Sequence, residues 1–401
     1  MKSNYFILLG ILSLLLASTG CQKNPNKECS TITISDSDYF LTDRILENHC
    51  DGVDYIIKNG SVYDVLSVEG NLVIEAGVTI QFEANGGLAI EDAGSIRANG
   101  TANDPITLHG PTATATGDWR GVMIYSANAS NTLQYVTIKG GGSQEFNSNG
   151  EKGNLVIYAA AKVSVDHCTF ENSADYGVNV NYYDTDLRSF TNNKLVTNKT
   201  PLLVRADQVK MVDKSNSFTG NTNNYVHVRL ASEIRTAVTW QALSIPYRLT
   251  ASSGGIFTHQ EIDNSGELTL EPGVIFEFEA GTGFQIDDNG ALYAVGTANE
   301  PILLKGANST AGYWEGLYYS SSNPLNQLTH VTIDGAGSNS SRGAITMWGS
   351  PTLTLNTVKL SNIAGGCAIY DNNSLSAGMP SNPNYSGTAV VFENVSSQYC
   401  D

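Results

Sequence analysis

The chain has 401 residues and a formal net charge of −17, with 22 Lys and Arg against 39 Asp and Glu. This balance opposes binding to nucleic acid, or to an anionic lipid surface, through a basic patch. Charged residues make up only 15% of the chain and glycine contributes 39 residues, so the composition is that of a polar, turn-rich, extracellular-type protein.

The chain begins with an export signal. Residues 1–20 contain a lysine near the start, an apolar run over residues 6–16 and small residues before Cys21. The run is too short to span a membrane, and small residues before a cysteine resemble a lipoprotein processing site. We expect Cys21 to carry a lipid that anchors the protein to the outer membrane or cell surface of a Gram-negative-type bacterium. The alternative is a secreted protein in which Cys21 is incidental. Residues 21–28 read as a short polar tether.

Two cysteines stand at the start of the mature chain. Cys29 and Cys50 are separated by 20 residues. Because an exported protein meets an oxidising compartment, we predict a disulfide between them that closes an N-terminal cap. Such a loop would stabilise the fold by about 3 kcal/mol. Two reduced thiols remain the alternative.

The sequence contains a long internal repeat. Residues 70–110 return without a gap at residues 266–306, with 21 of 41 positions identical. A repeat of this length has to be settled before any fold is assigned. We place the cap and copy one at residues 29–236 and copy two at residues 237–401. No linker rich in Pro, Gly or Ser separates them, which favours copies that stack or abut.

Both copies consist of short alternating runs of apolar and polar residues, broken by glycine and proline. This pattern predicts many short strands and tight turns, with helix nearly absent. Asparagine recurs just after the strand-like runs, as in residues 168–177, 189–198 and 217–226. In stacked coils such an asparagine can adopt the left-handed conformation, and its amide can bond to the neighbouring coil. The pattern therefore favours a β-solenoid, whose coils bury their inward faces by stacking.

Several phrases carry a family resemblance. L-x-I-E-x-G-V-x-I-x-F, G-T-A-N-D/E-P-I-x-L, W-x-G and V-T-I-x-G-x-G resemble phrases of the parallel β-helices of bacterial surface lipoproteins and adhesins. The resemblance covers about residues 55–401. It implies an all-β, right-handed parallel β-helix built from two tandem homologous copies. At about 22 residues and about 4.8 Å per coil, roughly 350 residues would form a rod of about 75 Å.

One phrase hints at catalysis. Asp166-His167 follows a β-branched run and resembles a phrase of pectate lyases. That kinship implies a polysaccharide lyase or glycoside hydrolase, with Asp166, His167 and Arg205 as its site. Copy two has Asn356 and Thr357 at the matching place. This difference favours a structural role, so we expect no catalytic residues and keep the enzyme as the alternative.

Three acidic positions persist in both copies, and oxygen ligands of this kind suit Ca²⁺. Solvated turn carboxylates are the simpler interpretation, so we expect no metal and no other cofactor. The six residues are Glu75, Glu83, Asp92, Glu271, Glu279 and Asp288.

An aromatic and acidic loop hints at binding. Tyr182, Tyr183, Asp184 and Asp186 lie in an irregular segment with no counterpart in copy two. Tyrosine rings beside carboxylates suit sugar stacking and hydroxyl bonding. We therefore expect a lipid-anchored surface protein that binds or displays, with a glycan or an envelope protein as partner. A structural spacer is the second alternative. The remaining paired aromatics read as packing residues of the repeat: Trp119, Trp314, Tyr318 and Tyr319.

The last cysteines are expected to close the C-terminal end. Aligning residues 360–362 with residues 392–394 puts Cys367 nearly over Cys400 in the neighbouring coil. We predict a disulfide between them, which would prevent the end of the stack from fraying. Cys168 lies in an alternating run and is predicted to be a buried, free cysteine.

Overall fold

The structure is a computed structural model, and almost all of its regular structure is β-strand. Its strands pair in parallel and stack as a β-solenoid of about 12 turns. Among the described residues there are two helices, the short 3₁₀ segments Tyr39–Leu41 and Ala206–Met211, and neither is long and apolar enough to cross a membrane. This confirms the all-β parallel solenoid. The described residues are 29–35, 39–59, 64–147, 150–180, 182, 184–230, 233–250, 259–339, 342–372 and 385–400.

The export signal, the tether and Cys21 lie outside the described residues, as does Tyr183. The expectations attached to them stay predictions.

Copy one winds around three sheets, which we call the first, second and third faces in the order in which each full turn from Asn71 onward visits them. The first-face strands are Arg44–Leu46, Asn71–Ile74, Ser95–Asn99, Thr132–Gln134, Lys162–Asp166 and Asp186–Thr191. The second-face strands are Ile32–Ile34, Tyr55–Ile57, Thr79–Phe82, Ile106–His109, Val136–Lys139, Thr169–Glu171, Lys194–Val196 and Ser217–Thr219. The third-face strands are Val65–Val68, Gly87–Ile90, Gly121–Ile124, Gly153–Ile157, Tyr176–Val180, Thr200–Arg205 and Val226–Arg229.

Copy two repeats the three faces. Two long strands, Gln327–Asp334 and Leu353–Ile363, turn the corner from its first face to its second. The other first-face strands are Ala237–Trp240, Glu267–Leu270, Ala291–Val295 and Tyr385–Thr388. The other second-face strands are Tyr247–Thr250, Ile275–Phe278, Ile302–Gly306 and Val391–Val395. The third-face strands are His259–Ile262, Gly283–Ile286, Gly316–Tyr319, Gly343–Met347, Cys367–Asp371 and Tyr399–Cys400.

The core is a column of inward-facing apolar side chains. Trp119 is fully buried and stacks on Phe82, with ring centroids 4.5 Å apart. Trp314 repeats this contact on Phe278 at 4.0 Å. The packing role predicted for these tryptophans is confirmed. The prediction also holds for buried Tyr319. It is wrong for Tyr318, which points to the outer surface because side chains alternate along a strand.

The turns are longer than the sequence suggested. Ile32 pairs with Tyr55, 23 residues later, and Ile138 pairs with Phe170, 32 residues later. Insertions at the corners lengthen a coil without adding a turn, so about 22 residues per coil was too short. A stack of about 12 turns, at about 4.8 Å each, is about 58 Å long and not 75 Å.

The predicted roles of asparagine are both present, on different residues. Asn172 and Asn192 take the left-handed conformation, each with φ 56°. Buried Asn198 instead links neighbouring turns. Its Oδ1 accepts a hydrogen bond from the Ser173 backbone N–H at 3.0 Å, and its own N–H donates to Oδ1 of Asn221 at 2.9 Å. These bonds satisfy backbone groups at the corners, which the sheets leave unpaired.

One sheet crosses the boundary between the copies. Val226–Arg229, on the third face of copy one, pairs with Tyr247–Thr250, on the second face of copy two. The latter strand continues that sheet to Ile275–Phe278. Because the joined faces are not equivalent, copy two is rotated by one face relative to copy one. The third faces of the two copies therefore lie on different sides of the stack.

Both predicted disulfides are present. The Cα atoms of Cys29 and Cys50 are 5.1 Å apart, and those of Cys367 and Cys400 are 5.8 Å apart. Cys168 is free and fully buried, as predicted.

The N-terminal loop closed by the first disulfide folds around a buried carboxylate. Asp54 accepts hydrogen bonds from the backbone N–H groups of His49 at 2.8 Å and Cys50 at 2.7 Å through Oδ1. Its Oδ2 accepts a third bond, at 2.8 Å, from the N–H of Thr79 in the next turn. The cap is thus tied to the stack by a charged acceptor as well as by sulfur.

The second face of copy two carries alternating charges on its outer side, which we call the charge ladder: Arg248, Glu277, Lys305 and Asp334. Glu277 lies 2.6 Å from Arg248 and 3.3 Å from Lys305. Lys305 is in register with Asp334 on the following turn. The Arg248 guanidinium also lies 3.8 Å from the ring centroid of Tyr225.

Candidate functional site

In three successive turns of copy one, a tyrosine comes just after the third-face strand. Tyr125 follows Ile124, Tyr158 follows its in-register partner Ile157, and Tyr182 follows in the next turn. The ring centroids of Tyr125 and Tyr158 are 5.8 Å apart, and those of Tyr158 and Tyr182 are 4.4 Å apart. Tyr125 is 36% exposed and the other two are half-buried. We call these three residues the tyrosine ladder.

The predicted binding loop contributes only part of this feature. Tyr182 belongs to the ladder, and the Thr185 hydroxyl holds its backbone by donating to the Tyr182 carbonyl oxygen at 3.0 Å. Asp184, at φ 63°, and Asp186 are exposed beside it. Sequence reasoning missed Tyr125 and Tyr158, because they are distant in sequence. Their shared position, directly after an apolar third-face strand, is the signal that could have found them.

An open cleft of about 420 Å³ adjoins the ladder on the outer side of the third face. Asp64, Glu91 and Arg120 give it charge, and Met123 and Phe146 give it apolar walls. Ile124 is in register with Ile90. Tyr125, the next residue, therefore lies over Glu91, so the ladder begins where the cleft ends.

The W-R-G turn positions the cationic side of the cleft. Trp119 points into the core and donates from Nε1 to the Lys139 carbonyl oxygen at 2.7 Å. Gly121 has φ 111°, and a Cβ there would lie 2.2 Å from the Gly153 carbonyl oxygen. Because the preceding Trp119 points into the core and the following position has to be glycine, Arg120 is directed outward.

The Arg120 side chain is held firmly, being only 12% exposed. Its Nη1 donates to the Glu145 carbonyl oxygen at 2.6 Å, and its Nη2 donates to Gln144 Oε1 at 3.1 Å. Nη2 also lies 3.8 Å from Oδ2 of Asp64. A guanidinium fixed in this way presents its remaining donors to the cleft without a large ordering cost.

The Asp166-His167 phrase forms a corner of the coil. Asp166 accepts hydrogen bonds from Thr191 at 2.7 Å, His167 at 2.8 Å and Asn192 at 3.1 Å. Burial raises the pKa of Asp166, but these three bonds together outweigh it and lower the pKa to about 2. His167 has φ 53° and stacks on Tyr135, with ring centroids 4.7 Å apart. Both side chains are therefore engaged with neighbouring turns.

The third residue of the lyase-like interpretation is on another sheet. Arg205 ends a third-face strand and lies 3.3 Å from Oδ1 of Asp207, whereas Asp166 ends a first-face strand. In copy two, the corner residues His330 and Thr357 have the same left-handed conformation as His167, with φ 48° and 54°. The structure thus does not bring Asp166, His167 and Arg205 into one groove.

The six carboxylates considered for Ca²⁺ do not converge. Two groups of acidic, histidine or cysteine side chains in the described ranges lie close enough for one ion, and neither contains any of the six. Glu83 instead lies 2.5 Å from the Lys58 ammonium, which lowers its pKa. Glu279 accepts from the Tyr313 hydroxyl at 2.9 Å. These two carboxylates are occupied by protein partners.

The two groups that do converge have their own explanations. One includes Cys50, whose sulfur is in a disulfide. The other joins Glu233, Glu261 and Asp263, and Arg235 lies 2.8 Å from Glu233 and 3.6 Å from Asp263. Burial and the neighbouring carboxylates raise the pKa of Glu261. An arginine already supplies the positive charge that this cluster requires.

The arrangement most suited to a ligand is therefore the tyrosine ladder with its adjoining cleft, which combines aromatic rings, a fixed guanidinium and carboxylates. Comparison of the chain with protein-family models, curated proteins and solved structures gives no match.

Proposed function

We propose that this protein is a lipid-anchored cell-surface solenoid that binds a glycan on the third face of copy one and does not cleave it. The observation that carries the proposal is the tyrosine ladder, which continues a charged cleft of about 420 Å³ along three successive turns. Tyr125 keeps 36% of its surface exposed, although tyrosines of this fold can be buried completely.

The chemistry of the surface matches a polysaccharide. Sugar C–H faces pack on aromatic rings, and sugar hydroxyls exchange hydrogen bonds with carboxylates and guanidinium groups. Glu91, Asp64 and Arg120 supply the polar partners. Because the ladder runs along the stack, it matches an extended chain better than a single sugar. The net charge of −17 favours a neutral glycan over an acidic one.

The proposed location agrees with the sulfur chemistry. Two disulfides, Cys29–Cys50 and Cys367–Cys400, are typical of an oxidising compartment outside the cytosol. A lipid on Cys21 would hold the chain at a membrane, and the turns that precede Tyr125 would separate the site from it.

The test is affinity electrophoresis of the full chain in gels that contain xylan, mannan, β-glucan, starch or pectin. We expect at least one neutral polysaccharide to retard the protein. Tyr125→Ala combined with Tyr158→Ala should weaken binding about 30-fold, since two aromatic contacts are lost and each contributes on the order of 1 kcal/mol. Tyr293→Ala, at a half-buried tyrosine of a first-face strand in copy two, is the control and should bind as the wild type does.

Two outcomes would contradict the proposal. If no polysaccharide retards the wild type, a spacer role is favoured. If incubation with a retained polysaccharide releases new reducing ends or unsaturated sugars, and Asp166→Asn abolishes the release, the protein is an enzyme.

A further inference from the structure

Copy two carries an exposed tryptophan at the position equivalent to the tyrosine ladder. Trp348 is 49% exposed, while the other three tryptophans of the chain are fully buried. It follows Met347, the last inward residue of a third-face strand, as Tyr158 follows Ile157. Met347 is in register with Tyr319, as Ile157 is with Ile124. The two aromatic side chains therefore occupy the same place in the two copies.

The neighbouring turns extend the correspondence. Asp287 directly follows the third-face strand Gly283–Ile286, as Glu91 directly follows Gly87–Ile90. Both carboxylates accept hydrogen bonds from side chains on the outer side of the third face. Asp287 accepts from Gln285 Nε2 at 2.5 Å and from the Ser320 hydroxyl. Glu91 accepts from the Ser67 hydroxyl at 3.2 Å. In each copy, a carboxylate thus follows one third-face strand, and an aromatic ring follows the third-face strand two turns further along the stack.

The start of the same face supplies the remaining polar groups. Glu315 stands where copy one has Arg120, and it lies 3.1 Å from Nε2 of His259. This hydrogen bond lowers the pKa of Glu315. The Arg342 guanidinium lies 5.2 Å from the ring centroid of Tyr318, on the outer surface. These side chains line one small hollow of about 10 Å³, which again combines a carboxylate, a cation and an aromatic ring.

We infer that the third face of copy two is a second binding site for the same neutral polysaccharide, with Trp348 as its main stacking residue. The inference rests on the proposed function. Because copy two is rotated by one face, the two sites open on different sides of the stack. One molecule can therefore hold two polysaccharide chains at once and cross-link them.

Cross-linking can be measured separately from binding. Beads coated with xylan, mannan, β-glucan or starch are mixed with the full-length protein, and both agglutination and the amount bound are recorded. The wild type should agglutinate beads coated with the polysaccharide that retards it in gels. Trp348→Ala should still bind these beads but should not agglutinate them. Its apparent affinity for beads should fall about 10²-fold or more, because the second contact is lost.

The ladder variant provides the reciprocal arm. Tyr125→Ala with Tyr158→Ala should also bind without agglutination, and adding Trp348→Ala should abolish binding. Leu325, also exposed in copy two at 43%, provides the control. The variant Leu325→Ala should agglutinate the beads as the wild type does. Trp348 is half-exposed, so its removal opens no core cavity, and equal melting temperatures would verify this.

The outcomes separate the two claims. If Trp348→Ala agglutinates as the wild type does while the ladder variant no longer binds, the second site is refuted and the proposed function stands. If Trp348→Ala alone abolishes binding and the ladder variant is unaffected, the ladder site and the two-site arrangement both fail. A Trp348→Ala variant that loses agglutination only because a dimer dissociates, as shown by light scattering, also overturns the inference.

Discussion

The hydroxyl of Tyr176 lies 2.9 Å from Nδ1 of His227, and Nε2 of the same imidazole lies 2.6 Å from Oγ1 of Thr250. This chain of contacts crosses the boundary between the copies, because the first two residues belong to copy one and the third to copy two. Burial, and secondarily the charges of Arg229 and Arg248, lower the pKa of His227 to about 4.

The depressed pKa makes stability depend on pH. His227 is neutral in both states above its ordinary pKa of about 6.5. Between pH 6.5 and pH 4 the unfolded chain binds the proton first, so the free energy of unfolding falls as the pH falls. Over this range the loss reaches about 3 kcal/mol and then levels off. Urea unfolding at pH 7.5 and pH 4.5 measures it.

His227→Gln should remove this part of the pH dependence, while carboxylates elsewhere titrate as before. His330→Gln, at a half-buried corner of copy two, should keep the wild-type dependence. An identical pH profile for His227→Gln and the wild type would show that the imidazole is not the group responsible.

A glycine shared by the two copies marks close backbone contact between turns. A Cβ at Gly94 would lie 2.2 Å from the Val68 carbonyl oxygen, and one at Gly290 would lie 2.1 Å from that of Ile262. Gly94→Ala should lower the free energy of unfolding by about 2 kcal/mol or more, because backbone must move apart. Gly52→Ala is the control, since no atom lies within 4 Å of its Cβ position. Equal urea midpoints for the two variants would refute the steric explanation.

The disulfides should protect opposite ends of the stack. Replacing Cys367 and Cys400 by serine should destabilise the protein by about 4 kcal/mol or less, given the 33-residue separation. Hydrogen exchange should rise chiefly in Val391–Val395 and Tyr399–Cys400. The matching double variant of Cys29 and Cys50 should raise exchange at the N-terminal cap instead. Uniform exchange increases in either variant would contradict end-specific stapling.

The anchor has a direct chemical test. Cells that express the full chain with an alkyne analogue of palmitate should label the wild type but not Cys21→Ser. Lys23→Ala, in the tether, should keep the label. Labelling that persists in Cys21→Ser would mean that the lipid, if any, is carried elsewhere.

Much of the fold could be predicted because its causes are local and repeated. The alternation around Leu72 and Leu268 indicates which side of each strand is buried, and the phrase containing Trp119 and Trp314 indicates where the ring packs. The length of each coil could not be predicted as well. Corner insertions such as residues 140–152 change the coil length, and nothing in an alternating pattern measures them.

The candidate site was harder to predict because it depends on register between turns. Tyr182 was recognised, but its partners Tyr125 and Tyr158 become neighbours only through stacking. The rotation of copy two was equally hidden. It results from the pairing of Val226–Arg229 with Tyr247–Thr250 after the irregular turn that contains Ala206–Met211.

The charge ladder bears on how such a chain avoids folding errors. Coils with similar apolar interiors can stack on the wrong neighbour while the chain folds. If Tyr247–Thr250 skipped one turn and docked on Ile302–Gly306, Arg248 would face Lys305, and like charges placed opposite each other are unfavourable. The surface charges thus discriminate among alternative pairings of turns that the apolar interior would accept equally.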